Sequence, residues 1–71
     1  MTHTVDGQKA RSLRRRRGLS VVAVAEAAGC SIWMIYKIES GRHQPSPRVY
    51  VGMRKVLEAH DSDLEPTRGS A

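Results

Sequence analysis

Apolar positions along this chain fall into four short patterns, each opened by a capping residue or a basic stretch and closed by a glycine or a polar break. In GQKARSLRRRR, Ala10 and Leu13 lie one turn apart, so a first helix over about 7–17 buries a single narrow stripe. Gly18 stands where a C-terminal glycine cap belongs, and the arginines before it complement the negative end of the helix dipole. Ser20 is placed as an N-cap and Gly29 as a stop, which predicts a second helix over 21–28. Valines at 21, 22 and 24 favour a strand by propensity, but the four alanines among them and the two end signals favour the helix.

Ser31 caps a third helix over about 32–40, which follows the second after a tight glycine turn. At 100° per residue Ile35 and Ile38 share one side with Met34 at its edge, while Trp33, Tyr36 and Lys37 share the other. The helix is two-faced, with its aromatics on the side that does not pack inward. Gly41 closes it, and Ser46-Pro47 opens a fourth helix over about 47–60 that buries Tyr50, Met53, Val56 and Leu57. Residues 1–6 read as a flexible N-terminus, with Val5 able to tuck against the first helix, and 61–71 as a polar, disordered tail broken by Pro66 and Gly69. Leu64 is the tail's one candidate to pack back. The domain spans 7–60.

Composition narrows the class. Seventy-one residues make one domain near the lower size for a core without disulfides or metal, and leave no room for an elaborate pocket. The single Cys30 rules out an internal disulfide and suits a reducing cytoplasm. No apolar run reaches the ~20 residues that span a bilayer, and MTHTVDGQ lacks the pattern of a signal peptide, so a cytoplasmic protein is expected. Twelve Lys and Arg against seven Asp and Glu give a formal charge of +5, which points to a polyanionic partner.

These residues, with Ala25 and Gly29 inside the unit starting at Val21, Ile35 and Ile38 later in it, and the ending KIESGRHQPS, resemble the Cro and phage-repressor-like helix-turn-helix family, also called the xenobiotic-response-element family. The resemblance covers roughly 7–57. It implies an all-α, compact four-to-five-helix, lambda-repressor-like helix-turn-helix domain that binds double-stranded operator DNA as a homodimer, with its third helix in the major groove. By the same resemblance Ile32, Trp33, Tyr36 and Lys37 read bases. Ser31, Ser40, Arg42, His43 and Gln44 face phosphates, as do Arg15 and Arg16 of the basic run, which is also a solvated helix end. Arg14 and Glu39 form a structural ion pair, and the dimer interface falls on the C-terminal half of helix four and the tail.

The chain departs from the family where the outward face is concerned. Val21 stands where glutamine is common, and Val22, Ala23 and Ala27 stand at positions usually charged. Isoleucine cannot make the bidentate hydrogen bonds that separate bases, although apolar groups can meet a thymine methyl. Arg54 replaces a usually small inward residue. An apolar cluster of Val21, Val22, Trp33 and Tyr36 also fits a protein partner, so a protein-binding module, an antiactivator or antitoxin, stands as the alternative to a transcriptional regulator. Cys30 reads as a buried, unreactive thiol. His3, His43 and His60 share no metal-ligand spacing with it, so no metal or cofactor is expected. Without a nucleophile and base pair or a glycine-rich phosphate loop, neither is an enzyme.

Overall fold

Side-chain oxygens start the first four helices. In a computed structural model that describes residues 4–66, Asp6 accepts from the backbone N–H groups of Gln8 and Lys9 at the head of α1 (Gly7–Arg16). Ser20 accepts from Ala23 N at 3.0 Å to open α2 (Val21–Ala28). Ser31 accepts from Met34 N at 3.2 Å to open α3 (Ile32–Glu39), and Ser46 accepts from Val49 N to open α4 (Pro47–Val56). Each bond satisfies an N–H that a helix start would otherwise leave without a partner. A fifth helix, α5 (Asp61–Leu64), completes the described residues, which contain no strand.

The turn between α2 and α3 is made by Gly29 at φ +71°, a conformation glycine adopts without strain. Cys30 N donates back to Ala25 O at 3.0 Å, closing the exposed end of α2. The two helices consequently meet at a bend of 107°. Their inward residues, Val24, Ala25 and Ala28 from α2 and Ile35 and Ile38 from α3, join Ala10, Tyr50, Met53, Leu57 and Leu64 in one core. Small residues set the closest approaches. A Cβ on Gly52 of α4 would sit 2.6 Å from Ala28 Cα, and one on Gly7 would sit 2.3 Å from Ile38 O, so α4 rests on α2, and α1 on the end of α3, by backbone contact.

The two termini of the described chain are more ordered than the sequence pattern predicts. The fourth helix stops at Val56 rather than at 60, because Glu58 turns into the left-handed region at φ +52° and Ala59 N donates to Arg54 O at 3.0 Å. Arg17 Nε donates to Leu57 O at 3.0 Å and so binds the carbonyl end of α4. Residues 61–64, expected in a disordered tail, form α5 instead: His60 N donates to Asp63 Oδ2 at 2.8 Å, and Leu64 is fully buried. Tyr50 OH donates to Asp61, which also lies 3.8 Å from Arg54 Nε. Arg54 thus reaches outward to an acid instead of crowding the core. At the other end Val5 is buried, and its N–H and C=O both pair with the Gln44 amide, while Asp6 N donates to Leu64 O at 2.7 Å. The remaining residues of the expected N-terminal and tail segments, 1–3 and 67–71, lie outside the described ones.

Two outcomes follow for stability. Gly52→Ala gains about 0.5–1 kcal/mol of helix propensity. It must also push apart two backbones, at roughly 1–3 kcal/mol, so the variant should melt at lower temperature; an unchanged midpoint would mean the α2–α4 crossing has slack. Desolvation, and then the bond to Asp61, push the Tyr50 phenol up to about 12, against about 10 in an unfolded chain. The folded state therefore favours the protonated phenol, a contribution complete below about pH 10 and lost as pH rises through 12. Urea midpoints should fall across that window, and less steeply in Tyr50→Phe.

Candidate nucleic-acid interface

Helix α3 is held from one side only. Ile35 and Ile38 are buried to within 1% of full exclusion, whereas Trp33 is 67% and Tyr36 50% exposed, with Lys37 exposed beside them. The Trp33 and Tyr36 rings lie 6.0 Å apart, tilted by 45°, and form one aromatic surface. Ile32 is half-buried at the helix start and packs against the core edge.

The end of α3 is fixed by charge. Arg14 Nε donates to Glu39 Oε2 at 2.7 Å and Arg14 Nη2 to Glu39 Oε1 at 3.1 Å, while Nη1 reaches Leu19 O at 3.0 Å. Both side chains are largely buried, 13% and 7% exposed. The hydrogen bond to Glu39 raises the Arg14 pKa against the opposing effect of burial. Arg14 and Glu39 are thus the pair that the resemblance implies, and neither is open to a reaction.

The candidate phosphate-facing residues divide. Arg42 and His43 are exposed on the loop that leaves Gly41, where Arg42 N donates to Lys37 O at 2.9 Å. Ser31 is exposed at the start of α3; its oxygen accepts from Met34 N, which leaves its O–H proton free to donate. Ser40 instead spends its proton on Lys37 O at 3.0 Å, so it presents only lone pairs to an anion. Gln44 is engaged within the chain: its amide oxygen accepts from Val5 N at 2.7 Å and its nitrogen donates one N–H to Val5 O at 3.1 Å. It braces the N-terminal segment.

Within the basic run, Arg14 and Arg17 are structural, and Arg15 and Arg16 are exposed. Arg16 lines a groove with Asp6, Lys9, Ser62 and Asp63, between α1 and α5, and is not brought to α3. Arg11 is. It lines a groove of about 200 Å³ with Arg14, Tyr36, Glu39 and Ser40, and Arg15 lies one turn further along the same side of α1. Arg48 was likewise not singled out by pattern. Its guanidinium lies over the α2–α3 turn, where a Cβ on Gly29 would sit 2.9 Å from it. The available signal was electrostatic: a cation in the first turn of α4 opposes the helix dipole, and no acid accompanies it.

Cys30 is half-buried rather than buried, and desolvation raises its thiol pKa, which keeps it in the unreactive protonated form. Among the described residues no three of His, Cys, Asp and Glu converge as a metal site would need, and no single helix is long and apolar enough to cross a membrane.

Two helices at 107° across a left-handed glycine, the second displaying an open face, constitute a helix-turn-helix unit. The chain belongs to the helix-turn-helix domain family, whose sequence pattern matches residues 7–66. Its fold is similar to that of the restriction-modification controller protein C.AhdI from Aeromonas hydrophila, at TM-score 0.73 and 24% identity over 80% of this chain and 86% of that one. It is also similar to the clp gene regulator ClgR from Corynebacterium glutamicum, at TM-score 0.74 and 28% identity, and to an HTH_3 family transcriptional regulator from Vibrio cholerae, at 0.68 and 33%. Each of these two matches covers 80% of this chain, but only 61% of the ClgR chain and 32% of the Vibrio one. No curated protein sequence matches significantly.

The buried ion pair yields a direct check. Arg14→Met leaves a carboxylate buried without its partner and should cost roughly 3–5 kcal/mol in urea denaturation, whereas the Arg14→Met, Glu39→Met double variant should recover much of that loss. Equal losses in both variants would assign the cost to packing instead of charge.

Proposed function

We propose that this protein is a small sequence-specific DNA-binding transcriptional regulator that occupies an operator as a homodimer. One observation carries the reading: the open face of α3, with Trp33, Tyr36 and Lys37, has Arg11 of α1 beside Tyr36 and the exposed Arg42 on the loop that follows, while Arg48 lies over the α2–α3 turn. Between positions 7 and 57 eleven Lys and Arg accompany only two acids, and one of those, Glu39, is neutralised by Arg14. Such a face suits the major groove, where cations meet the two phosphate rims and α3 reaches base edges. Membership of the helix-turn-helix family supports it, as does likeness to proteins described as gene and transcriptional regulators.

Ile32, Trp33, Tyr36 and Lys37 read bases in this proposal. Arg11, Arg15, Ser31, Arg42, His43 and Arg48 hold the backbone. The protein-docking alternative draws on the exposed apolar residues, Val22 among them, but the cations around α3 fit those residues to DNA. Homodimerisation would place two α3 helices about 34 Å apart on a two-fold site. Val51, 41% exposed on α4, is an apolar residue that such a dimer would cover. Acting on an operator would place the protein in the cytoplasm, with the DNA.

Retardation of a duplex from the protein's own upstream region tests the reading, with affinity expected to fall steeply as salt rises. Arg11→Ala and Arg42→Ala should weaken every duplex alike, each lowering the salt slope by about one, while Arg16→Ala should leave the slope unchanged. Trp33→Ala should alter the order of preference among duplexes. No retardation at physiological salt, together with a protein complex abolished by Trp33→Ala, would replace this reading by protein docking.

A further inference from the structure

The outward face of α3 lacks the groups with which bases are usually told apart. Bidentate recognition of guanine or adenine needs a guanidinium or a side-chain amide. The exposed side chains from Trp33 to Lys37 supply neither. Gln44, the nearest amide along the chain, is held on both atoms by Val5, and the guanidinium of Arg14 is held by Glu39 and Leu19. Ser40 has given its proton to its own helix. On α3 itself there remain one ammonium, Lys37, and a broad aromatic surface of Trp33 and Tyr36, flanked by half-buried Ile32, while the exposed guanidinium of Arg42 stands on the loop beyond the helix.

An apolar surface in the major groove has one chemical partner to find. Of the unmodified bases only thymine displays an apolar group there, its C5-methyl. The same methyl at the same place is carried by 5-methylcytosine. Resting on the DNA-binding reading above, we propose that α3 selects its operator by the C5-methyl groups of pyrimidines, packing them against Trp33 and Tyr36, with Lys37 adding a single hydrogen bond. Charge complementarity commits this face to DNA: Arg11 lies beside Tyr36, Arg42 is exposed on the loop that follows α3 and Arg48 lies over the turn before it, and a lone aromatic surface gains most from a methyl group once those cations have brought it into the groove.

Selection from two random duplex libraries tests this, one unmodified and one with 5-methylcytosine in place of every cytosine. The enriched duplexes are then remade with uracil for thymine, or with cytosine for 5-methylcytosine, and their affinities compared. Each contacted methyl removed should weaken binding about fourfold, the value for withdrawing one methyl-sized group from an apolar contact. Loss on the uracil exchange identifies thymine as the source, and loss on the cytosine exchange identifies 5-methylcytosine. Trp33→Ala, which removes an exposed side chain and should keep the wild-type melting temperature, should bind with less sensitivity to either exchange. Affinity unchanged by both exchanges on a duplex that is still bound overturns methyl reading alone, and unaltered sensitivity in Trp33→Ala removes the aromatic surface from it. Enrichment of no duplex from either library overturns the DNA-binding reading and this one together.

Discussion

Glu39 ends α3 inside the protein, with both carboxylate oxygens held by Arg14 of α1. A buried carboxylate without a partner would be strongly unfavourable, and a helix of eight residues has little stability of its own. The ion pair therefore fixes where α3 stops and how it is aimed. The same guanidinium reaches Leu19 O, so α1, the approach to α2 and the end of α3 share one anchor. Ile35 and Ile38 hold the rest of the helix, and because all of these contacts lie on one side, the opposite side stays open.

Close backbone approach supplies the second part of this arrangement. Gly52 allows α4 onto α2, Gly7 allows α1 onto the end of α3, and Gly29 turns α2 into α3. Each uses the absence of a side chain for a different reason, two for space and one for conformation. Around this frame the arginines take separate duties. Arg14 and Arg17 bind carboxylate and helix-end carbonyl groups, whereas Arg11 lies beside Tyr36, Arg48 over the α2–α3 turn and Arg42 exposed on the loop after α3. Basic character read from composition is thus split between scaffold and surface.

Much of the frame was legible from local pattern. Serine caps, glycine stops and the spacing of Ile35 and Ile38 place α2 and α3 where the structure has them, since capping and helical period act within a few residues. The resemblance to repressor-like proteins implied the Arg14–Glu39 pair. Exposure of Trp33 and Tyr36 also followed from period alone. Less legible were the ends: Val5, Leu64 and α5 are ordered by partners that lie far away in sequence, Gln44 for Val5 and the α1 start for Leu64. One leucine in a polar segment marks a residue able to pack back, but not the partner that orders it.

By itself, then, the sequence determined four helices, the serine caps of the last three, their inward faces and an excess of positive charge, because each depends on neighbours within a turn or two, whereas the Asp6 cap of α1 went unread. Tertiary structure alone decided which polar groups remain available. Gln44 pairs with Val5 through its amide oxygen and nitrogen, Ser40 gives its proton to its own helix and Arg17 binds the end of α4, while Arg11 is brought beside Tyr36 from α1 and Arg48 over the α2–α3 turn from α4. A side chain's hydrogen-bonding capacity is finite, and whether it faces a ligand or the protein depends on what folding brings beside it.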